Sequence, residues 1–263
     1  MKNRFRQSLL QREPTFGSWI QIGHPAIAEV LAGAGFDWVA VDVEHGIVDL
    51  SDIAHLFRAI ELHGAVPVAR LPFNDPIWIK RVLDAGACGL IIPMVNSAAE
   101  ARAAMDQAKY PPLGCRGYGY SRANQHGREF DSYIRRANEE IAIVMQIEHR
   151  RGIEEIDAIL EVPGVDAAFI GPLDLSGSYG KTGQLEDPEI VEALRTFRAS
   201  CQGHSISAGM HLVHPTAGSI QQALRDGYTM MALGLDNTLL AAAAGAALDA
   251  ARDTVATVLV RHS

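Results

Sequence analysis

Lysine is scarce in this chain of 263 residues and occurs only at Lys2, Lys80, Lys109 and Lys181. The apolar pattern puts these in the N-terminal tail, on helices or in a loop. None ends a strand, which counts against imine chemistry at the mouth of an α/β fold. Cysteine is scarcer still. Cys88, Cys115 and Cys201 are odd in number and share no close spacing, so neither a disulfide framework nor a zinc pattern is present. No long hydrophobic run exists. The longest, Leu239 to Leu248, is mostly alanine, is bracketed by Asp236 and Asp249, and is too short to span a bilayer. The basic N-terminal stretch lacks the apolar core of a signal peptide. Positive charge is in the minority: the net charge is −8 and the pI about 5.7. That argues against nucleic acid or an anionic membrane as partner. The sequence also has no Gly-rich dinucleotide fingerprint, no P-loop and no G-x-S-x-G. The expectation is a soluble cytoplasmic protein acting on a small molecule.

What is present is a regular alternation. Hydrophobic residues make up 48% of the chain, enough for a full core. The length suits one (β/α)8 barrel or one to two smaller domains. Strand-length apolar runs cover residues 16–21, 38–43, 66–71, 88–92, 141–147, 166–170, 206–210 and 228–233. Helical spacing is read over 25–34, 50–63, 76–84, 98–109, 133–139, 154–160, 188–201, 216–226 and 236–251. Evenly spaced strand–helix units in an uninterrupted chain predict one (β/α)8 TIM barrel over residues 1–263; a doubly wound sheet is the alternative. The stretch from Tyr110 to Phe130 is long for a loop and rich in Gly, Arg and Tyr. It is read as lying on the same face as Glu148, as a lid or a subunit contact.

The residues with chemistry fall at the C-terminal ends of these strands, where parallel α/β folds bind ligands. Glu148 follows the fifth run, and Asp174 follows the sixth after Gly171-Pro172-Leu173. Two convergent carboxylates suit a hard cation such as Mg²⁺ or Mn²⁺, although acids at strand ends often only cap a helix. The second run ends Asp42-Val43-Glu44-His45-Gly46. An Asp42–His45 hydrogen bond would orient the imidazole as a general base; alternatively His45 caps a helix or is solvated. Arg70 ends the third run and suits a carboxylate or an enolate oxygen, or a structural salt bridge. Gln146 shares the face of Glu148 and either binds ligand or is satisfied inside the barrel. Ser97 with Glu100 reads as a helix cap. His211 and His214 flank the seventh loop and lack a third ligand for a metal.

Taken in order, Asp42-Val43-Glu44-His45-Gly46, Arg70, residues 89–97 (GLIIPMVNS), residues 110–117 (YPPLGCRG), Gln146-Ile147-Glu148 and Gly171-Pro172-Leu173-Asp174-Leu175 form a specific set. With this set the chain resembles the HpcH/HpaI aldolase family, the metal-dependent class II pyruvate aldolases of aromatic and sugar-acid catabolism. The likeness runs from Phe16 to about Leu240. It implies a (β/α)8 barrel that assembles as a homohexamer, its Ala-rich last helix (239–251) exchanged between subunits. It implies a divalent metal, Mg²⁺ or Mn²⁺ with Co²⁺ as a substitute, held by Glu148 and Asp174. Arg70 then steadies the pyruvate enolate, and His45 with Asp42 forms the base dyad. Gln146 positions pyruvate, and the segment Gly171, Pro172, Leu173 and Asp174 offers backbone N–H groups to its carboxylate. Asp84 corresponds to an acid that reaches a neighbouring subunit's site. The implied reaction joins or separates pyruvate and an aldehyde through a 4-hydroxy-2-oxo acid. Departures from the family pattern around residues 121–129, 210–215 and 235–237 leave the aldehyde open. Two rivals remain: a CoA-thioester carbon–carbon lyase, for which no clear basic cluster is present although Arg135, Arg136, Arg150 and Arg151 could be argued, and a non-catalytic 2-keto acid binding protein.

Overall fold

The structure is a computed structural model that describes residues 3–260; Lys2 and the outermost ends of the expected 1–263 domain lie outside the described residues. Eight parallel strands close into a barrel in chain order. They are β1 (Thr15–Ile20), β2 (Trp38–Asp42), β3 (Val66–Arg70), β4 (Gly89–Ile92), β5 (Ala142–Ile147), β6 (Ala167–Ile170), β7 (Ser207–Leu212) and β8 (Tyr228–Leu235). The expected (β/α)8 architecture is the one observed. Strand alternation divides the apolar residues into two cores. Trp19, Trp38, Val68, Ile91, Val144 and Phe169 fill the barrel interior. The alternate residues, among them Ile20, Val41, Leu90 and Ile147, pack outward against helices.

The helices begin with α1 (Arg4–Gln11), which the sequence pattern did not suggest. Its Phe5 and Leu9 enter the interior core, so α1 plugs the N-terminal end of the barrel. Arg6 reaches the buried Asp166, with Nη2 at 2.9 Å from Oδ1. Then follow α2 (Pro25–Gly33), α3 (Leu50–Leu62), α4 (Pro76–Ala85), α5 (Ala98–Ala108) and α6 (Phe130–Glu140). Ser97 caps α5, its side chain accepting from the Glu100 N–H, as its sequence position suggests. The expected helix at 154–160 is two short pieces, α7 (Arg150–Glu154) and α8 (Ile156–Leu160), and the acidic segment after β6 is itself a helix, α9 (Pro172–Ser178). Then come α10 (Pro188–Gly203), α11 (Ala217–Arg225) and α12 (Asp236–Val260).

Two placements differ from expectation. The segment 110–130 follows a helix, not a strand, and so lies at the N-terminal end of the barrel, opposite Glu148. Its Arg122 donates to Ala85 O at the end of α4, and with Cys88 and Val66 it lines a cavity of about 830 Å³ there. It therefore cannot act as a lid on this chain's own strand ends. The last helix runs to Val260, not Ala251, and every residue from Leu240 to Val258 is exposed. At ~1.5 Å per residue it stands about 37 Å long. No helix among the described residues is long and apolar enough to cross a membrane.

Candidate active site

Inward-facing residues at the strand ends build the mouth. β2 and β3 pair with Asp42 opposite Arg70, which brings the two side chains together. Arg70 donates from Nε to Asp42 Oδ1 at 2.9 Å and from Nη2 to Oδ2 at 2.7 Å. Gln21 Nε2 and the backbone N–H groups of Glu44 and His45 complete the shell of Asp42. Burial alone would raise the Asp42 pKa, but the Arg70 hydrogen bonds and charge outweigh it and hold the carboxyl below its ordinary range. The guanidinium also lies 4.7 Å from the Trp19 ring centroid.

The expected Asp42–His45 side-chain bond is not formed. The Asp42 oxygens are taken by Arg70, Gln21 and backbone N–H groups, and what His45 gives Asp42 is its backbone N–H. The His45 ring is 60% exposed, and the carboxylate nearest its Nε2 is Glu44, at 3.8 Å. Glu44 is a site residue that sequence reasoning left without a role. Its Oε2 lies 3.3 Å from Arg70 Nε yet has no hydrogen-bond partner. Burial pushes its carboxyl up to about 6, the charges of Asp42 and Asp174 add to that, and Arg70 opposes.

Glu148 leaves β5 into the same mouth and is 4% exposed. It accepts from Met94 N–H at 2.8 Å and from Gln146 Nε2 at 2.5 Å. Met94 has φ of 54°, a left-handed backbone held by its surroundings, and that turn aims its N–H at the carboxylate. Burial pushes Glu148 up to about 6 against those two bonds, with Glu44 and Asp174 adding charge. Gly171 allows the approach: a Cβ there would sit 2.8 Å from both Cβ and Oε2 of Glu148. Asp174 lies in the first turn of α9. Gly171 N–H is occupied by Ile147 O and Pro172 has none, so of the segment expected to bind a carboxylate only Leu173 and Asp174 offer N–H groups.

Asp84 is not part of this mouth. It ends α4 at the opposite side of the barrel and pairs with the buried Arg116 at 2.8 Å. His211, expected beside a loop, lies on β7 and turns inward. Among the described residues no three His, Cys, Asp or Glu side chains converge enough to hold a metal alone. Glu148 and Asp174, with Glu44 near, are the oxygen donors at this mouth that could hold a hard cation together with ligands from outside the chain. The charges of Asp42 and Asp174 raise Glu44, those of Glu44 and Asp174 raise Glu148, and the buried Gln146 Oε1 lacks a partner among the described residues.

Fold and mouth together place a cluster of carboxylates, one fixed arginine and an accessible imidazole at the C-terminal end of a (β/α)8 barrel. Comparison with known proteins agrees. The model of the HpcH/HpaI aldolase/citrate lyase family matches residues 15–243. A curated relative from Salmonella heidelberg (strain SL476), named 4-hydroxy-2-oxo-heptane-1,7-dioate aldolase, is 37% identical over 94% of this chain and 93% of its own. A solved HpcH/HpaI aldolase/citrate lyase family protein from Burkholderia cenocepacia J2315 superposes with TM-score 0.91 at 33% identity, over 95% of this chain and 99% of that one. The HpcH/HpaI aldolase of Desulfitobacterium hafniense DCB-2 gives 0.85 at 30%, over 94% and 96%. The chain belongs to the HpcH/HpaI aldolase/citrate lyase family and is a carbon–carbon lyase.

Proposed function

We propose that the protein is a class II, divalent-metal-dependent aldolase that cleaves a 4-hydroxy-2-oxo acid to pyruvate and an aldehyde, or runs the reverse addition. The observation that carries this reading is the meeting of Arg70 with Glu44, Glu148 and Asp174 at one barrel mouth. The relatives named 4-hydroxy-2-oxo-heptane-1,7-dioate aldolase support the same class. Glu148 and Asp174 are the residues to hold Mg²⁺ or Mn²⁺ (Co²⁺ as a substitute), the rest of the shell coming from substrate and water. When bound, the ion supplies Lewis-acid stabilisation of charge on the keto oxygen.

The chain's own groups do the rest. Arg70, fixed by Asp42 and Trp19, holds the keto acid and adds positive charge where the enolate develops. Gln146 orients the keto acid, and the Leu173 and Asp174 N–H groups receive its carboxylate. In cleavage His45 takes the proton of the 4-hydroxyl. The bond between C3 and C4 breaks, its electron pair passes into the enolate, and the aldehyde leaves. A proton added at C3 then gives the pyruvate methyl group. Asp42 serves here as the clamp on Arg70 and on the His45 backbone, and Glu44 is the carboxylate that faces the His45 ring.

The exposed, alanine-rich α12 supports a homohexamer in which that helix docks on a neighbouring copy. Asp84, remote from its own Glu148, is in keeping with a role in an adjacent subunit. The test is exchange of pyruvate methyl protons in D₂O with Mg²⁺ or Mn²⁺, then with EDTA. Metal-dependent exchange is expected. No exchange with metal present would overturn the aldolase reading, and CoA thioesters would then be tried as substrates.

A further inference from the structure

β7 extends through Leu212, so His211 is a strand residue. Its register partner on β8 is Ala232, which belongs to the interior core with Trp19 and Phe169. Paired residues of parallel strands face the same side, so the His211 ring points into the mouth. It is the polar inward side chain at the C-terminal end of β7, while Asp42, Arg70, Gln146 and Glu148 belong to β2, β3 and the end of β5.

Contacts on two sides fix the ring. Nε2 lies 3.1 Å from Gly234 O. A carbonyl only accepts, so Nε2 carries the proton and Nδ1 keeps its lone pair. The ring meets Trp19 edge-on, with centroids 5.9 Å apart, and the same indole carries the Arg70 guanidinium. Burial pushes the imidazolium pKa down to about 4; the bond to Gly234 opposes this and the Arg70 charge adds to it. The ring is therefore neutral near pH 7. Nδ1 has no hydrogen-bond partner among the described residues. A neutral lone pair cannot offset a carboxylate, but it accepts from a hydroxyl.

We propose that His211 Nδ1 is the acceptor that reads a hydroxyl on the aldehyde, so that the enzyme prefers 2-hydroxyaldehydes to their deoxy counterparts. This rests on the aldolase reading above, with the keto acid held by the groups on β2, β3, β5 and α9. The aldehyde chain then extends toward β7, where His211 meets the carbon next to the carbonyl. Trp19 joins the two halves of the site, because it packs on both Arg70 and His211.

The experiment compares kcat/KM for pyruvate addition to lactaldehyde and to propanal, which differ by one hydroxyl, using the metal-loaded full chain. The wild type is expected to favour lactaldehyde by roughly tenfold or more, the worth of one hydrogen bond to a site built for it. His211→Leu should bring the ratio to about one, and His211→Asn, whose amide oxygen stands near the Nδ1 position, should keep part of it. The ratio is internal to each preparation, so a general loss of activity does not move it. A wild-type ratio near one, or a preference that survives in His211→Leu, overturns the proposal. If the variants do not fold, the ¹⁵N spectrum of the labelled wild type decides. A neutral ring protonated at Nε2, with Nδ1 shifting on addition of lactaldehyde but not propanal, is expected; a ring protonated at Nδ1 overturns it. Absence of both pyruvate exchange and addition would remove the aldolase reading instead, and the ¹⁵N result would still decide the tautomer.

Discussion

Asp42 grips Arg70 with both carboxylate oxygens, and the pair is nearly dry, the side chains being 0% and 15% exposed. Removing one partner of such a pair leaves the other charge buried. Asp42→Asn should cost about 3–5 kcal/mol of stability, read as a shift of the urea midpoint at unchanged slope. The double variant with Arg70→Met should recover part of that loss. A cost under about 1 kcal/mol in the single variant would mean that solvent reaches Arg70 and that the clamp is not structural.

Arg70→Ala should remove nearly all aldol activity while Mn²⁺ binding, followed by titration, survives. Arg70→Lys should fare little better, because one ammonium cannot reproduce the two-point fork on Asp42 together with the stack on Trp19. Turnover near wild type in either variant would sink the assigned role.

In the proposed reaction His45 acts through its ring, which is 60% exposed and has only Glu44, at 3.8 Å, as a charged neighbour. His45→Ala should therefore leave the unfolding midpoint almost unmoved and lower kcat by about 10²–10⁴-fold, the range of a lost general base. A change confined to KM would assign His45 to binding rather than proton transfer.

The carboxyls of Glu44 and Glu148 lie raised to about 6 in the folded protein, against 4.5 ordinarily. A raised carboxyl holds its proton more tightly when folded. Its stabilising contribution is thus full below pH 4.5 and is lost as pH rises through 6. The metal-free protein should lose stability across that window. A cation binds the ionised forms, so Mn²⁺ affinity should rise over the same window, by up to about tenfold per pH unit for each proton displaced. Calorimetric titration with Mn²⁺ at pH 5 and pH 7 checks the sign. Equal affinities at the two values would show that neither carboxyl titrates with binding.

Gly171 is tested by one methyl group. Gly171→Ala puts a Cβ 2.8 Å from Glu148 Oε2, and the carboxylate must turn away. Metal affinity should fall at least about tenfold, as when a group orienting a ligand is lost, with the barrel still folded by circular dichroism. Undiminished affinity would mean that Glu148 is not a ligand.

Much of this was legible before any coordinates. The barrel followed from apolar runs whose lengths and spacing admit few topologies, and the positions of Glu148 and Asp174 beyond β5 and β6 followed from strand ends alone. What failed depended on geometry that spacing does not carry. Asp42 and His45 are three apart, yet the carboxylate turned to Arg70 across the strand pair, a contact set by β2–β3 register. The segment at 110–130 follows α5, which carries the chain back to the N-terminal end of the barrel, and the spacing from β4 does not show that return. α12 outran its alanines: Thr254, Val255, Thr257 and Val258 read against a helix, but the threonine hydroxyls bond Ala250 O and Asp253 O four residues back. The inward aim of His211 is not legible because β7 ends two residues beyond its apolar run.

The plug at the base of the barrel has a consequence for synthesis. Leu9 O accepts from Ser207 Oγ, a contact across 198 residues, and Arg6 waits for Asp166. At ribosomal speeds of roughly 5–20 residues per second, α1 spends about 10–40 s outside the tunnel before its last partner is made. A segment made before any strand of the barrel is among the last to find its place.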